Sequence, residues 1–198
     1  MQEINSQQPY FFGASQGLLS ALDMHSDEPA GHPERVAAIA VRIGQEMGLP
    51  KDVLHDLETG ALLHDVGKIK IHDQVLNKPS KLNDVEWAEM KTHPRIGFEA
   101  VLALHFPDRI AMIVLQHHEK YDGTGYPMGI SNQAINPCAR IFAVADAYDA
   151  ITRDRVYRKG RTHDEAVTEI TSCAGTHFDP EVAKAFARLP AEALAEWQ

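Results

Sequence analysis

Ala61-Leu62-Leu63-His64-Asp65-Val66-Gly67-Lys68-Ile69 is the stretch that decides how this chain folds. Leu54, Leu57, Ala61 and Leu62 recur at helical spacing ahead of it, so an apolar helix arrives here, expected over 50–65. Gly67 stands where that helix would take a left-handed cap. The helix therefore ends by presenting an imidazole, a carboxylate and the amine of Lys68. A buried lone Asp is costly unless it is paired or bound to metal. For one such pair the preferred reading is a capped helix end with a His-Asp hydrogen bond. The number of similar groups elsewhere in the chain decides between the two.

Composition narrows the classes. At 198 residues the chain is most simply one domain with a substantial core. No apolar run approaches a membrane span, and the first thirty residues lack a basic region followed by an apolar one. The expected location is therefore cytoplasmic, with no membrane partner. Cys138 and Cys173 are the only cysteines, too few for a disulfide framework or a thiolate metal site. A net charge of −9 argues against nucleic acid as a partner. The count of 11 histidines is high for this length, and what they do is the main question.

Outward from the opening stretch, every periodic segment reads as helix. Upstream, Pro9 to Met24 carries Phe11, Leu18, Leu19 and Leu22 inward, and Pro33 opens a helix to Gly48. Downstream, residues 69–81 read as irregular. Asn83 with Glu86 is a capping-box signature, and its helix runs to Thr92. His93-Pro94 breaks or kinks that helix, which continues to Leu104. Phe106-Pro107 opens another, ending on His117-His118. Glu119 to Asn136 is a long loop, a length that is uncommon and often functional. Ala139 to Thr152 is helical and contains Asp146. Thr162 with Glu165 is a second capping box, and Asp179-Pro180 starts a helix to Leu189. No strand pattern, repeat or low-complexity tract is evident, so the fold class is all-α.

Beside His64 and Asp65 the chain offers Glu28, His32, His93, His117, His118 and Asp146. Glu28 and His32 are one helical turn apart. His93, His117 and His118 sit at helix ends, and Asp146 lies in the apolar run Phe142 to Ala147. His25, His55, His72, His105, His163 and His177 read instead as core or surface histidines. Gathered in one place, the three carboxylates would force a protonation unless cations were present. Two or three divalent ions reverse the sign and make the site attract an anion. Imidazole and carboxylate ligands without thiolate suit Fe, Mn, Ni or Co better than structural Zn.

These residues resemble a known family. His64-Asp65 with Asp146 is similar to the HD superfamily of metal-dependent phosphohydrolases. His117-His118-Glu119 followed by Asp122-Gly123-Thr124-Gly125-Tyr126-Pro127 is similar to the signature of its HD-GYP subfamily, the phosphodiesterases of cyclic di-GMP. Lys78-Pro79, His93-Pro94, Arg140 to Asp146 and Phe178-Asp179-Pro180 match as well. The resemblance runs from about Leu19 to about Leu189. It implies an HD-superfamily helical bundle with a metal cluster at its centre, over residues 18–198 after an N-terminal segment, 1–17. It also implies His32, His64, Asp65, His93, His117, His118 and Asp146 as metal ligands, with Asp65 bridging two ions. Glu28 matches a ligand found only in members resembling the three-metal form. Two or three divalent ions are expected, Fe or Mn foremost. Lys68 matches a lysine that contacts the attacking water or a phosphate. Four positions depart from the family pattern: His72, Asn136 and Val156 stand where it has Pro, and Ser80 where it has Gly. None removes a ligand.

The basic stretch Arg153 to Arg161 directly follows the Asp146 helix. Charge runs are usually solvated loops, but this one can reach the site, and arginine holds phosphate by paired donors. The resemblance favours Arg155 and Arg158 as phosphate or guanine contacts, while Tyr126 reads about equally as a substrate contact and as a loop-packing tyrosine. Gly123, Gly125 and Gly129 allow its loop to turn sharply. The expected reaction is hydrolysis of cyclic di-GMP to linear pGpG and/or GMP through a hydroxide bridging two metals. The rivals are the same chemistry on another cyclic dinucleotide or nucleotide, and a non-catalytic cyclic di-GMP binding module. A homodimer, and a regulatory domain or protein outside this chain, are compatible with the resemblance.

Overall fold

The computed structural model describes residues 31–154 and 159–194, together with positions 13, 17 and 20. Among the described residues there are helices and loops but no strand, which matches the all-α expectation. The α-helices are α1 (His32–Glu46), α2 (Lys51–Leu62), α3 (Asp73–Leu76), α4 (Asp84–Met90), α5 (His93–Ala103), α6 (Asp108–Gln116), α7 (Pro137–Thr152), α8 (His163–Ser172) and α9 (Pro180–Phe186). Short 3-10 turns lie at Val66–Lys70, Asn132–Ala134 and Ala191–Ala193. Of the helix expected over 9–24, Gly13, Gly17 and Ser20 are helical and exposed, and the rest lies outside the described residues.

Two apolar clusters hold the fold together. The larger joins α1, α2, α7, α8 and α9 through Val36, Ile43, Leu57, Phe142, Tyr148, Ile170 and Phe186. The smaller joins the 3-10 turn to α5 and α6 through Leu63, Val66, Val101, Phe106, Ile110 and Val114. Leu62 packs against both. His64 and Asp65 follow it directly and so emerge where the two clusters meet. Truncating a core residue such as Leu57 to Ala would cost about 2–5 kcal/mol.

The helix boundaries follow the local signals. Both expected capping boxes form, Asn83 with Glu86 and Thr162 with Glu165. Pro33, Pro94, Pro137 and Pro180 all sit in the first turn of a helix. The reading at Gly67 needs correction. Helix α2 stops at Leu62, and Gly67 lies inside the following 3-10 turn without positive φ. Glycine is required there by close approach instead: a Cβ would meet the His93 carbonyl oxygen at 2.0 Å and the Gly97 nitrogen at 2.5 Å. The irregular segment 69–81 likewise contains the end of that turn and the short α3.

Three of the four departures from the family pattern fall on described residues, and each is accommodated locally. His72 keeps a proline-like φ of −63° while its backbone N–H donates to Glu89 Oε1 at 3.0 Å. The N–H of Asn136 donates to Gln116 Oε1 at 2.6 Å, and its side chain caps α7 by accepting from the Cys138 N–H. Ser80 does not need positive φ. Val156 lies outside the described residues.

Candidate metal centre

Three of the histidines are oriented by one local device. The last carbonyls of a helix have no backbone partner within it. His64 donates Nδ1–H to the carbonyl of Ala61 at 2.7 Å, His93 to that of Met90 at 2.8 Å, and His117 to that of Val114 at 2.7 Å. Each carbonyl is three residues back, in the last turn of α2, α4 or α6. Satisfying it commits Nδ1 as the donor and turns Nε2 away from the helix. His93 and His117 thereby cap helices and offer Nε2 lone pairs.

Those lone pairs converge on Asp65. Its Oδ1 lies 3.1 Å from His93 Nε2 and 3.7 Å from His117 Nε2, and these two nitrogens are 3.2 Å apart. With both Nδ1 atoms donating elsewhere, two nitrogen lone pairs and a carboxylate oxygen face one another with no proton between them. Asp65 Oδ1 is buried and accepts no hydrogen bond. An orphaned oxygen of this kind is costly in a closed interior. The arrangement fits a divalent cation: Asp65, His93, His117 and His118 can each present a ligand atom, all within 4.8 Å of one another. The second oxygen, Oδ2, faces His64 Nε2 at 2.9 Å and Lys68 Nζ at 2.6 Å. One carboxylate thus presents an oxygen to each of two groups of partners.

Electrostatics agree with this reading. Burial alone would raise the Asp65 carboxyl, but the facing His64 and Lys68 outweigh it and hold the group well below the carboxylate range. Burial pushes His117 down to about 4 and His118 further down still. Neutral imidazoles and an ionised carboxylate are the forms that bind metal.

His32 and Asp146 extend the centre on its more open side. The His32 and His64 rings are 5.6 Å apart, and His32 Nε2 lies 3.5 Å from Asp146 Oδ1. The side chains of His32 and Asp146 are 15% and 35% exposed, against 7% or less for His64, Asp65, His93 and His117. The seven described candidates therefore form one contiguous group. Glu28, Arg155 and Arg158 lie outside the described residues. Tyr126 sits at the mouth, its ring 4.7 Å from that of His118. Burial raises its phenol, and the charges of Asp65 and Asp146 add to the shift.

Asp149 was not among the expected site residues. The burial cost anticipated at Asp146 falls on this aspartate instead, which is only 4% exposed. It accepts from His32 Nδ1 at 2.8 Å and from Arg35 Nε at 2.7 Å, and Arg153 Nε lies 3.5 Å away. Burial would raise its pKa, but the bonds from His32 and Arg35 outweigh it and hold the carboxyl at about 2. Such a carboxylate fixes the tautomer of a ligand histidine. The available signal was a second Asp three residues after Asp146 in the same apolar helix. Glu119 is also buried: its Oε1 accepts from the Met128 N–H at 2.6 Å, which ties the Tyr126 loop down, and its Oε2 has no hydrogen-bond partner. Gly125 lets that loop fold back, since a Cβ would meet the Lys120 nitrogen at 2.3 Å.

Comparison with known proteins agrees with this geometry. The pattern of the HD domain family matches residues 17–182. A cyclic di-GMP phosphodiesterase of Pseudomonas aeruginosa is 39% identical over 158 residues, covering 79% of this chain and 38% of that protein. A 3′3′-cGAMP-specific phosphodiesterase of Vibrio cholerae is 34% identical over 160 residues, covering 81% of this chain and 35% of that one. The chain spans less than half the length of these relatives. A crystal structure of a cyclic GMP-AMP specific phosphodiesterase of V. cholerae superposes with a TM-score of 0.73 at 24% identity, over 93% of this chain and 50% of that one. At that identity the likeness speaks for the fold. With the family pattern covering most of its length and the His117-to-Pro127 signature in place, the chain belongs to the HD domain family, in its HD-GYP branch.

Proposed function

We propose that this chain is a metal-dependent phosphodiesterase that hydrolyses cyclic di-GMP to linear pGpG and/or GMP. The observation that carries the reading is the convergence of imidazole Nε2 lone pairs on a buried carboxylate oxygen that accepts no hydrogen bond. His32, His64, Asp65, His93, His117, His118 and Asp146 would hold two divalent ions, Fe or Mn, and Glu28 would complete a third site. When bound, such ions polarise the phosphoryl group and lower the pKa of water to roughly 7, so that no strong protein base is needed. Asp65 presents one oxygen to His93 and His117 and the other to His64 and Lys68. Lys68, now paired with Asp65, can turn its ammonium to the phosphoryl oxygens as their charge grows. Tyr126 and the Glu119-anchored loop wall the mouth. Arg155 and Arg158 would take the second phosphate or a guanine edge. The catalytic unit would occupy residues 18–198, acting in the cytoplasm.

The relatives' activities support this reading, and one favours a second. The V. cholerae relative specific for 3′3′-cGAMP matches as large a share of this chain, 81% against 79%, so discrimination between the two dinucleotides is the finer question. The test combines elemental analysis of purified protein with turnover of cyclic di-GMP, 3′3′-cGAMP and cyclic di-AMP. We expect at least two metals per chain and fastest cleavage of cyclic di-GMP. Fully metallated protein that binds cyclic di-GMP and cleaves nothing would be a sensor, and the enzyme reading would fall.

A further inference from the structure

Helix α4 stands apart from the rest of the fold because it has no buried residue. It is held by its ends and by ion pairs. The capping box closes its first turn, Lys78 Nζ reaches Glu86 at 2.6 Å, and Glu89 takes the N–H and ring of His72 at 3.0 and 2.7 Å. An exposed helix stiffened in this way still carries Trp87, 45% open to solvent. Tryptophan contributes most when its large face is covered, and the core does not cover it.

The position of Trp87 suggests what does. Its ring meets Tyr126 edge-on at 6.2 Å, and Tyr126 in turn lies 4.7 Å from His118, tilted by 30°. Three rings therefore run outward in sequence from the metal centre to the surface. Met128, 48% exposed, projects from the same loop as Tyr126, and its backbone is pinned by buried Glu119. A nucleotide whose phosphate reaches Asp65 must lay its base about one nucleoside length away, and this row of rings provides apolar faces in that direction. We propose that Trp87 is a nucleobase platform: a purine of the cyclic dinucleotide stacks on its exposed face, with Met128 at the lip. The proposal rests on the phosphodiesterase reading above. It assigns to α4, an element outside the metal centre, a share in substrate affinity.

Stacking of a base on an aromatic side chain adds to affinity and is tolerant of which base it is. Trp87→Ala should therefore raise KM for cyclic di-GMP on the order of 10-fold with kcat within about two-fold. Trp87→Phe should restore most of the affinity, because a flat face remains. In a Trp197→Phe background, which leaves Trp87 as the single tryptophan, cyclic di-GMP should quench its fluorescence. Unchanged KM in Trp87→Ala, with wild-type protein cleaving the dinucleotide, overturns the platform alone. Unchanged KM with an altered sedimentation coefficient overturns it in favour of a protein contact. Equal losses in kcat for the Ala and Phe variants overturn it in favour of a structural role. Wild-type protein that cleaves no cyclic dinucleotide overturns the phosphodiesterase reading first.

Discussion

The centre has two halves that orient their histidines differently. In the inner half, His64, His93 and His117 each donate to a carbonyl three residues back at a helix end. In the outer half, His32 is oriented by Asp149, 117 residues away and on another helix. The inner device is local, and it survives as long as the helix ends do. The outer one exists only if α1 and α7 pack in register. The inner half is also drier, with an unsatisfied carboxylate oxygen that calls for a cation. The outer half is partly open and hydrogen-bonded. A closed inner site with fixed ligands and an adjustable outer one is the contrast this arrangement implies.

The harshest way to break it is at Asp65, which belongs to both groups of partners. Asp65→Ala should abolish turnover and release metal, measured by elemental analysis beside an activity assay. Retention of both would end the argument.

Acid should act on the inner half next. The folded pKa of His117 is lowered from 6.5 to about 4 by burial. The unfolded chain then binds more protons than the folded one between those values, so stability falls as pH drops through that window. In metal-stripped protein the loss should reach roughly 3 kcal/mol by pH 4, at about 1.4 kcal/mol per pKa unit. Denaturant melts from pH 7 to pH 4 check this, and a His117→Gln variant should show a flatter profile.

Gly67 tests how rigid the inner half is. Its added Cβ would collide with the His93 carbonyl, so Gly67→Ala should cost about 1–3 kcal/mol as an overpacking change. It should also loosen metal at His93 while sparing the outer half. Thermal melts with and without added Mn²⁺ would read both effects.

Asp149→Asn gives the mildest and most selective change. It keeps the shape and alters the partner of His32 Nδ1, and should weaken the outer ion by about 10–100-fold. The inner ions should stay, so metal titration should lose one class of site. Simultaneous loss of every class would erase the distinction between the halves.

Much of this was present in the residue order. Helix ends, both capping boxes and the first-turn prolines are local signals, so the all-α reading needed no tertiary knowledge. Seven of the eight expected ligand positions fall on described residues and form one group, since histidines at helix ends and carboxylates in apolar runs mark themselves by the cost of burying them. Gly67 was misread because a left-handed cap and a close backbone approach both demand glycine, and only packing tells them apart. Asp149 was passed over because its partners, His32 and Arg35, come from a distant helix. The exposure of Trp87 was equally hidden, since helical spacing alone does not say what a face meets.

By itself the sequence determined most of the helices and the chemistry of the ligands. These depend on neighbours within about one helical turn, and covalent geometry brings those together in any fold. Tertiary structure alone decided which lone pairs face Asp65, which carboxylate holds His32, and how far Trp87 stands open to solvent beside Tyr126. Those contacts join residues far apart in the chain, and only the packing of one helix on another sets their distances.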